Sequence, residues 1–132
     1  ISISHYPDLW AAAIDIVGMS SIRTFLQTTS PWRKKLRETE YGTIESDEDF
    51  FDQIDPLNHA DKIKAPLMVI HGVNDPRVPI QESDQIVKKL KARNHPVQYS
   101  RIEEEGHTMT KLKNKIASYT EMAEFLEKYL GK

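Results

Sequence analysis

The sequence predicts an α/β fold with about three parallel strands and flanking helices. Three observations carry this. Strand-like apolar runs alternate with helical patterns along the chain, the order that right-handed crossovers between parallel strands require. Pro66 to His71 (PLMVIH) is apolar almost throughout and bounded by Pro66 and Gly72, as in a strand buried on both faces. Lys111 to Leu130 has the periodicity of a long amphipathic helix.

The elements follow in order. Ile1 to Tyr6 reads as the end of a helix closed at Pro7. Trp10 to Val17 (WAAAIDIV) stops at Gly18 and suits a buried strand, although its alanines also allow a helix. Ser20 to Gln27 is a short helix. Ser30-Pro31 is a helix start, with serine as N-cap and proline in the first turn. That helix runs to about Tyr41, where Gly42 closes it. Ser46-x-x-Asp49 resembles a capping box and opens another helix that Pro56 ends. Residues 20–60 are thus expected to form a helical insert. Ile80 to Arg93 is a helix with Ile86, Val87 and Leu90 on one face, ended by Asn94 and Pro96. Val97 to Ile102 alternates as a strand does. In the terminal helix the expected buried stripe is Ile116, Tyr119, Met122, Ala123, Leu126, Tyr129 and Leu130, with Gly131 as the stop. Trp10, Phe50 and Phe51 are expected in the core.

Composition narrows the function classes. The 132 residues suit one unit. The net charge of -2, from 18 basic and 20 acidic residues, gives no field for nucleic acid or a membrane surface. The runs Arg33-Lys34-Lys35 and Glu103-Glu104-Glu105 read as solvated surface. With no cysteine there is no disulfide, thiolate nucleophile or Cys-based zinc site. The chain shows no internal repeat, no bilayer-length apolar run and no signal-peptide pattern, so a cytoplasmic location is the default expectation.

Chemistry is expected at the carboxyl ends of the strands, where open α/β sheets bind ligands. Two segments lie there: His71-Gly72-Val73-Asn74-Asp75-Pro76-Arg77-Val78-Pro79 and Glu103-Glu104-Glu105-Gly106-His107-Thr108. Adjacent strands are about 4.8 Å apart, which brings Asp75 and His107 within reach of each other. A carboxylate beside an imidazole fixes the ring's tautomer and stabilises the imidazolium formed during proton abstraction. A metal site from His71, Asp75 and His107 is chemically conceivable, but the carboxylate–imidazole pairing explains the same residues better. No metal or cofactor is expected. His71 is expected to pack or hydrogen-bond at its strand end, and Arg77 to pair with the Glu103–Glu105 run. His5, His59 and His95 read as surface or capping residues.

His71-Gly72-x-x-Asp75-x-x-Val78-Pro79, Glu105-Gly106-His107 and the long terminal helix together resemble the C-terminal part of the prolyl oligopeptidase family, near its acylaminoacyl-peptidase and dipeptidyl-peptidase-like members. Asp55-Pro56-Leu57-Asn58-His59-Ala60 and Tyr6-Pro7-Asp8-Leu9-Trp10-Ala11-Ala12-Ala13 extend the resemblance over nearly the whole chain. It implies a partial α/β-hydrolase fold, with residues 1–132 a C-terminal fragment of the catalytic domain. It also implies that Asp75 is the triad acid and His107 the triad base. The family's serine sits in a G-x-S-x-G elbow, which no pair of the five glycines forms; Gly18-Met19-Ser20 lacks the second glycine. The serine is therefore expected upstream, and the isolated chain is expected to be inactive. The implied substrates are short or acylated peptides. A three-strand sheet exposes its first strand, so self-association there is expected. The alternative function is a non-catalytic, self-associating binding or structural module.

Overall fold

The computed structural model describes residues 1–131. In chain order the elements are α1 (Ser2–His5), β1 (Ala13–Ile16), α2 (Ile22–Thr28), α3 (Pro31–Tyr41), α4 (Ile44–Ile54), β2 (Leu67–Gly72), α5 (Gln81–Ala92), β3 (Val97–Ile102) and α6 (Leu112–Leu130). The strands form one parallel sheet in the order β1-β2-β3. Ala13 is in register with Leu67, and Leu67 with Val97. The fold is the α/β arrangement expected, with helices on both faces of the sheet.

All six residues of β2 are buried, because the central strand is covered on both sides. Its alternation divides the core. Leu67 and Val69 pack with Ile86, Val87 and Leu90 of α5 and with Ala60 and Ile63. Met68 and Ile70 pack with Phe125 of α6, joined by Met122 and Tyr129. A separate cluster of Ile22, Leu26 and Phe51 joins α2 to α4.

Two buried carboxylates anchor the start of α2 to the rest of the molecule. Glu82 Oε2 accepts from the backbone N–H groups of Ser20 and Ser21, and Glu82 Oε1 from the Thr24 hydroxyl. Asp55 accepts from the Ile22 N–H and the Ser21 hydroxyl. These bonds satisfy amides that a helix start otherwise leaves unpaired, and they tie α2 to α4 and α5.

Several local readings change. β1 is shorter than Trp10–Val17, and Trp10 precedes it with 43% of its surface exposed. Phe50 is 52% exposed while Phe51 is fully buried. Consecutive helix residues point about 100° apart, so only one of the two can face α2. The N-cap of α4 is Thr43, not Ser46: the Thr43 hydroxyl accepts from Ser46 N–H, and Asp47 reaches back to Thr43 N–H. Ser30 precedes α3 without a side-chain cap bond, while Gly42 closes that helix at φ +100°.

The largest correction concerns α6. Its buried residues are Ser118 and Phe125, with Met122 and Tyr129 partly buried beside them. Ile116, Tyr119 and Leu130 of the expected stripe are 59, 66 and 51% exposed. The exposed set is centred about 135° around the helix from the Ser118–Phe125 ridge, with Ile116 nearly opposite it. Glu121 bonds Ser100 of β3 on one flank, and the exposed apolar set turns away from that contact.

Truncation separates the two faces of α6. Phe125→Ala in this chain should lower unfolding stability by about 3–5 kcal/mol, the usual cost of emptying a buried aromatic site. Ile116→Ala should stay within about 0.5 kcal/mol. Urea unfolding of both variants measures the difference; equal losses would reverse the assignment of the faces.

Candidate active site

Asp75 lies on the turn that follows β2. Its side chain is fully buried, yet three donors hold it. Oδ1 accepts from the backbone N–H groups of Arg77 at 2.7 Å and Val78 at 3.0 Å, and Oδ2 faces His107 Nδ1 at 2.7 Å. Burial alone would raise its pKa. The amides of Val78 and Arg77 and the His107 ring outweigh burial and hold it below the usual carboxylate value. Asp75 is therefore an anion at neutral pH.

His107 lies on the turn after β3, with 30% of its side chain exposed. Its Nδ1 points at a carboxylate, so Nδ1 carries the proton in the neutral ring and Nε2 keeps a free lone pair. Among the described residues nothing hydrogen-bonds to Nε2. That is the geometry of a base whose proton acceptor faces outward.

Two features hold the turns together. Gly72 ends β2 directly against the second turn, where a Cβ would lie 2.2 Å from the Gly106 oxygen and 2.5 Å from the Glu105 oxygen. Only glycine fits there. Asn74 N–H also donates to the Glu105 carbonyl at 2.9 Å. The second feature is the Glu105 carboxylate, 2% exposed. It accepts from the N–H groups of Thr110 and Lys111, the Thr110 hydroxyl and the Asn114 amide. It therefore fixes the His107 turn to the start of α6.

His71, fully buried, lies beneath this pair. Its Nδ1 is 2.6 Å from the Ser83 hydroxyl, and its Nε2 is 3.0 Å from the Val78 carbonyl and 3.3 Å from Asp75 Oδ2. No cluster among the described residues could hold a metal ion. Ser20 and Ser21 give their hydroxyls to the Glu82 carbonyl and to Asp55, and neither bonds His107.

The family model of the prolyl oligopeptidase family matches residues 1–132. The chain belongs to the prolyl oligopeptidase family. It is 38% identical to a dipeptidyl aminopeptidase BIII of Pseudoxanthomonas mexicana, covering 98% of this chain and 19% of that protein. It is 34% identical to dipeptidyl peptidase family member 6 of Caenorhabditis elegans, covering 99% and 18%. A puromycin-hydrolyzing peptidase of Mycobacterium tuberculosis superposes with a TM-score of 0.85 at 26% identity, over 91% of this chain and 18% of that one. The acylaminoacyl peptidase of Pyrococcus horikoshii superposes with a TM-score of 0.88 at 23% identity, over 99% and 22%, a likeness of fold. The chain thus spans about a fifth of the length of these family members.

Asp75 and His107, expected within reach because they follow adjacent strands, are brought together at 2.7 Å. Arg77 is not paired with the acidic run. It is exposed, while Glu103 pairs with Arg101 and Glu104 with Lys111 and Lys113. Glu105, read with its neighbours as solvated surface, is buried because Thr110, Lys111 and Asn114 supply donors. The signal available was its place next to Gly106-His107; its surroundings had none. Ser83 was not singled out, since nothing nearby in sequence marks it as a partner for His71. No helix among the described residues is long and apolar enough to cross a membrane.

Glu105 should give the fold an acid-sensitive anchor. Its donors, led by Thr110 N–H and then Asn114, depress its pKa from 4.5 to about 2. A depressed carboxylate stabilises the fold above its unfolded pKa, and that contribution fades as pH falls from 4.5 to about 2. Thermal unfolding of Glu105→Gln should therefore lie below the parent at pH 6 and converge with it near pH 2. A gap of constant size across that range would count against the anchor. Gly72→Ala should force the two turns apart; the low-field proton resonance of the Asp75–His107 bond should vanish, and its persistence would refute the close-approach argument.

Proposed function

We propose that this segment supplies the acid and the base of the Ser-Asp-His triad of a serine peptidase catalytic domain. The Asp75 Oδ2 to His107 Nδ1 contact of 2.7 Å, with Nε2 unbonded, is the observation that supports the reading. His107 Nε2 removes the proton of a serine hydroxyl as that oxygen attacks a peptide or ester carbonyl. The imidazolium so formed, stabilised by the Asp75 anion, then protonates the leaving group, the amine of a peptide or the alcohol oxygen of an ester. In the second half-reaction His107 activates water in the same way.

The serine and the oxyanion donors come from the preceding part of the same catalytic domain, since no G-x-S-x-G elbow occurs in these residues. Taken alone, these 132 residues are then inactive. The open edge of β1 and the exposed apolar flank of α6 support a seam with it, and in the isolated chain the same surfaces support self-association. Short peptides, or peptides with an acylated amino terminus, are the substrates we infer. Relatives named dipeptidyl aminopeptidase and acylamino-acid-releasing enzyme motivate that choice. Arg77, exposed and two residues from Asp75, is placed to contact a substrate carbonyl or carboxylate.

Asp75→Asn and His107→Ala in the whole polypeptide that carries this segment test the reading. With chromogenic dipeptide and acyl-peptide substrates, Asp75→Asn should lower kcat by about 10⁴-fold, as losing the acid of such a triad does. Circular dichroism should be unchanged. Near-normal turnover in either variant would remove the triad assignment.

A further inference from the structure

We propose that His71 and Ser83 are positioning residues: the Ser83 hydroxyl orients the His71 ring so that its Nε2–H braces the Asp75–Val78 turn and keeps the Asp75 carboxylate aimed at His107. The proposal rests on the triad reading above and adds two residues to it.

Hydrogen-bond polarity decides the tautomer. His71 Nε2 faces the Val78 carbonyl at 3.0 Å and Asp75 Oδ2 at 3.3 Å, and both atoms only accept. Nε2 must therefore carry the proton. In the neutral ring Nδ1 then has only a lone pair, so at 2.6 Å the Ser83 hydroxyl is the donor. Ser83 is fully buried on α5 and His71 fully buried on β2, so water cannot replace either partner. The order is Ser83 O–H to His71 Nδ1, then His71 Nε2–H to the Val78 oxygen, with Asp75 Oδ2 3.3 Å from the same nitrogen.

The same N–H spans both ends of the Asp75–Val78 turn. At one end Asp75 Oδ1 is pinned by the N–H groups of Arg77 and Val78. At the other, Oδ2 has two neighbours, His71 Nε2 and His107 Nδ1. A carboxylate held at one oxygen can still swing about its Cβ–Cγ bond. His71 limits that swing and leaves Oδ2 directed at His107. The charged groups around His71 are Asp15 of β1, which interacts with it electrostatically, and the Asp75 anion.

Four variants in the whole polypeptide test this: Ser83→Ala, Ser83→Thr, His71→Gln and His71→Phe. Ser83→Ala should lower kcat by about tenfold with KM unchanged, the low end for partners that orient a functional imidazole. Ser83→Thr keeps the hydroxyl and should restore most of kcat. His71→Gln keeps an N–H near the Nε2 position and should exceed His71→Phe in kcat by about tenfold at equal melting temperature. Independently of turnover, selective 15N-histidine labelling should show His71 as the Nε2–H tautomer. Ser83→Ala should broaden the low-field His107 Nδ1–H resonance. Unchanged kcat and an unchanged resonance in Ser83→Ala would overturn the proposal. So would an Nδ1–H tautomer for His71, or a Thr variant as impaired as the Ala variant. If the parent hydrolyses no peptide or ester, the peptidase reading fails, and the two resonance measurements alone decide the positioning role.

Discussion

Backbone packs directly on backbone where Gly72 meets Glu105 and Gly106, and the site depends on that contact. The last rung of the β2–β3 pairing sets Gly72 beside Ile102. Beyond it the strands do not splay. Val73 N–H donates to the Ile102 carbonyl and Asn74 N–H to the Glu105 carbonyl, so the pairing continues into the two turns. Strand spacing in a parallel sheet is fixed near 4.8 Å by hydrogen bonding. Extending that pairing past the strand ends carries the same precision to Asp75 and His107. A side chain at position 72 would occupy the volume of two carbonyl oxygens, so the sheet transmits its register to the site only because that residue is glycine.

Parts of this arrangement were legible in the sequence for identifiable reasons. Val97–Ile102 alternates in polarity because β3 is a half-covered edge, and Leu67–Gly72 is apolar because β2 is covered on both faces. Asp75 and His107 follow directly after those strands, so their neighbourhood was predictable from topology alone. The flank of α6 was not. Its apolar residues span a wide arc, and hydropathy cannot say which part of the arc meets a neighbour. The sheet takes the ridge of Ser118, Met122, Phe125 and Tyr129, and leaves Ile116, Tyr119 and Leu130 exposed. An apolar face with no cover here fits a chain that spans about a fifth of its relatives. Glu105 was misread for the opposite reason. A run of three glutamates looks solvated, and only the fold of residues 110–114 around the third one makes its burial affordable.

The buried carboxylates share a physical logic. Asp55, Asp75, Glu82 and Glu105 are each shielded from solvent, and none forms an ion pair with lysine or arginine among the described residues. Each instead accepts backbone N–H groups: Ser20, Ser21 and Ile22 at the start of α2, Thr110 and Lys111 before α6, and Arg77 and Val78 in the turn. Amides at a helix start lack intrahelical partners and carry partial positive charge, so a carboxylate there offsets two deficits at once. The bonds also cross between elements. Glu82 and Asp55 bind α2 to α5 and α4, and Glu105 binds the His107 turn to α6.

For Asp75 the choice of amides over a cation has a chemical consequence. A lysine or arginine beside it would also keep it ionised, but its full positive charge would oppose the imidazolium that the proposed mechanism forms at His107. Amide dipoles hold the anion without adding net charge. The carboxylate therefore keeps its field directed along the free side of Oδ2, where His107 Nδ1 sits at 2.7 Å. Burial strengthens that field, since little water reaches the side chain to screen it. The same burial makes the arrangement intolerant: an unpaired carboxylate in this position would be raised in pKa and neutralised. The two amides and the His107 ring are what allow Asp75 to be both buried and charged, and the proposed base role of His107 needs it to be both.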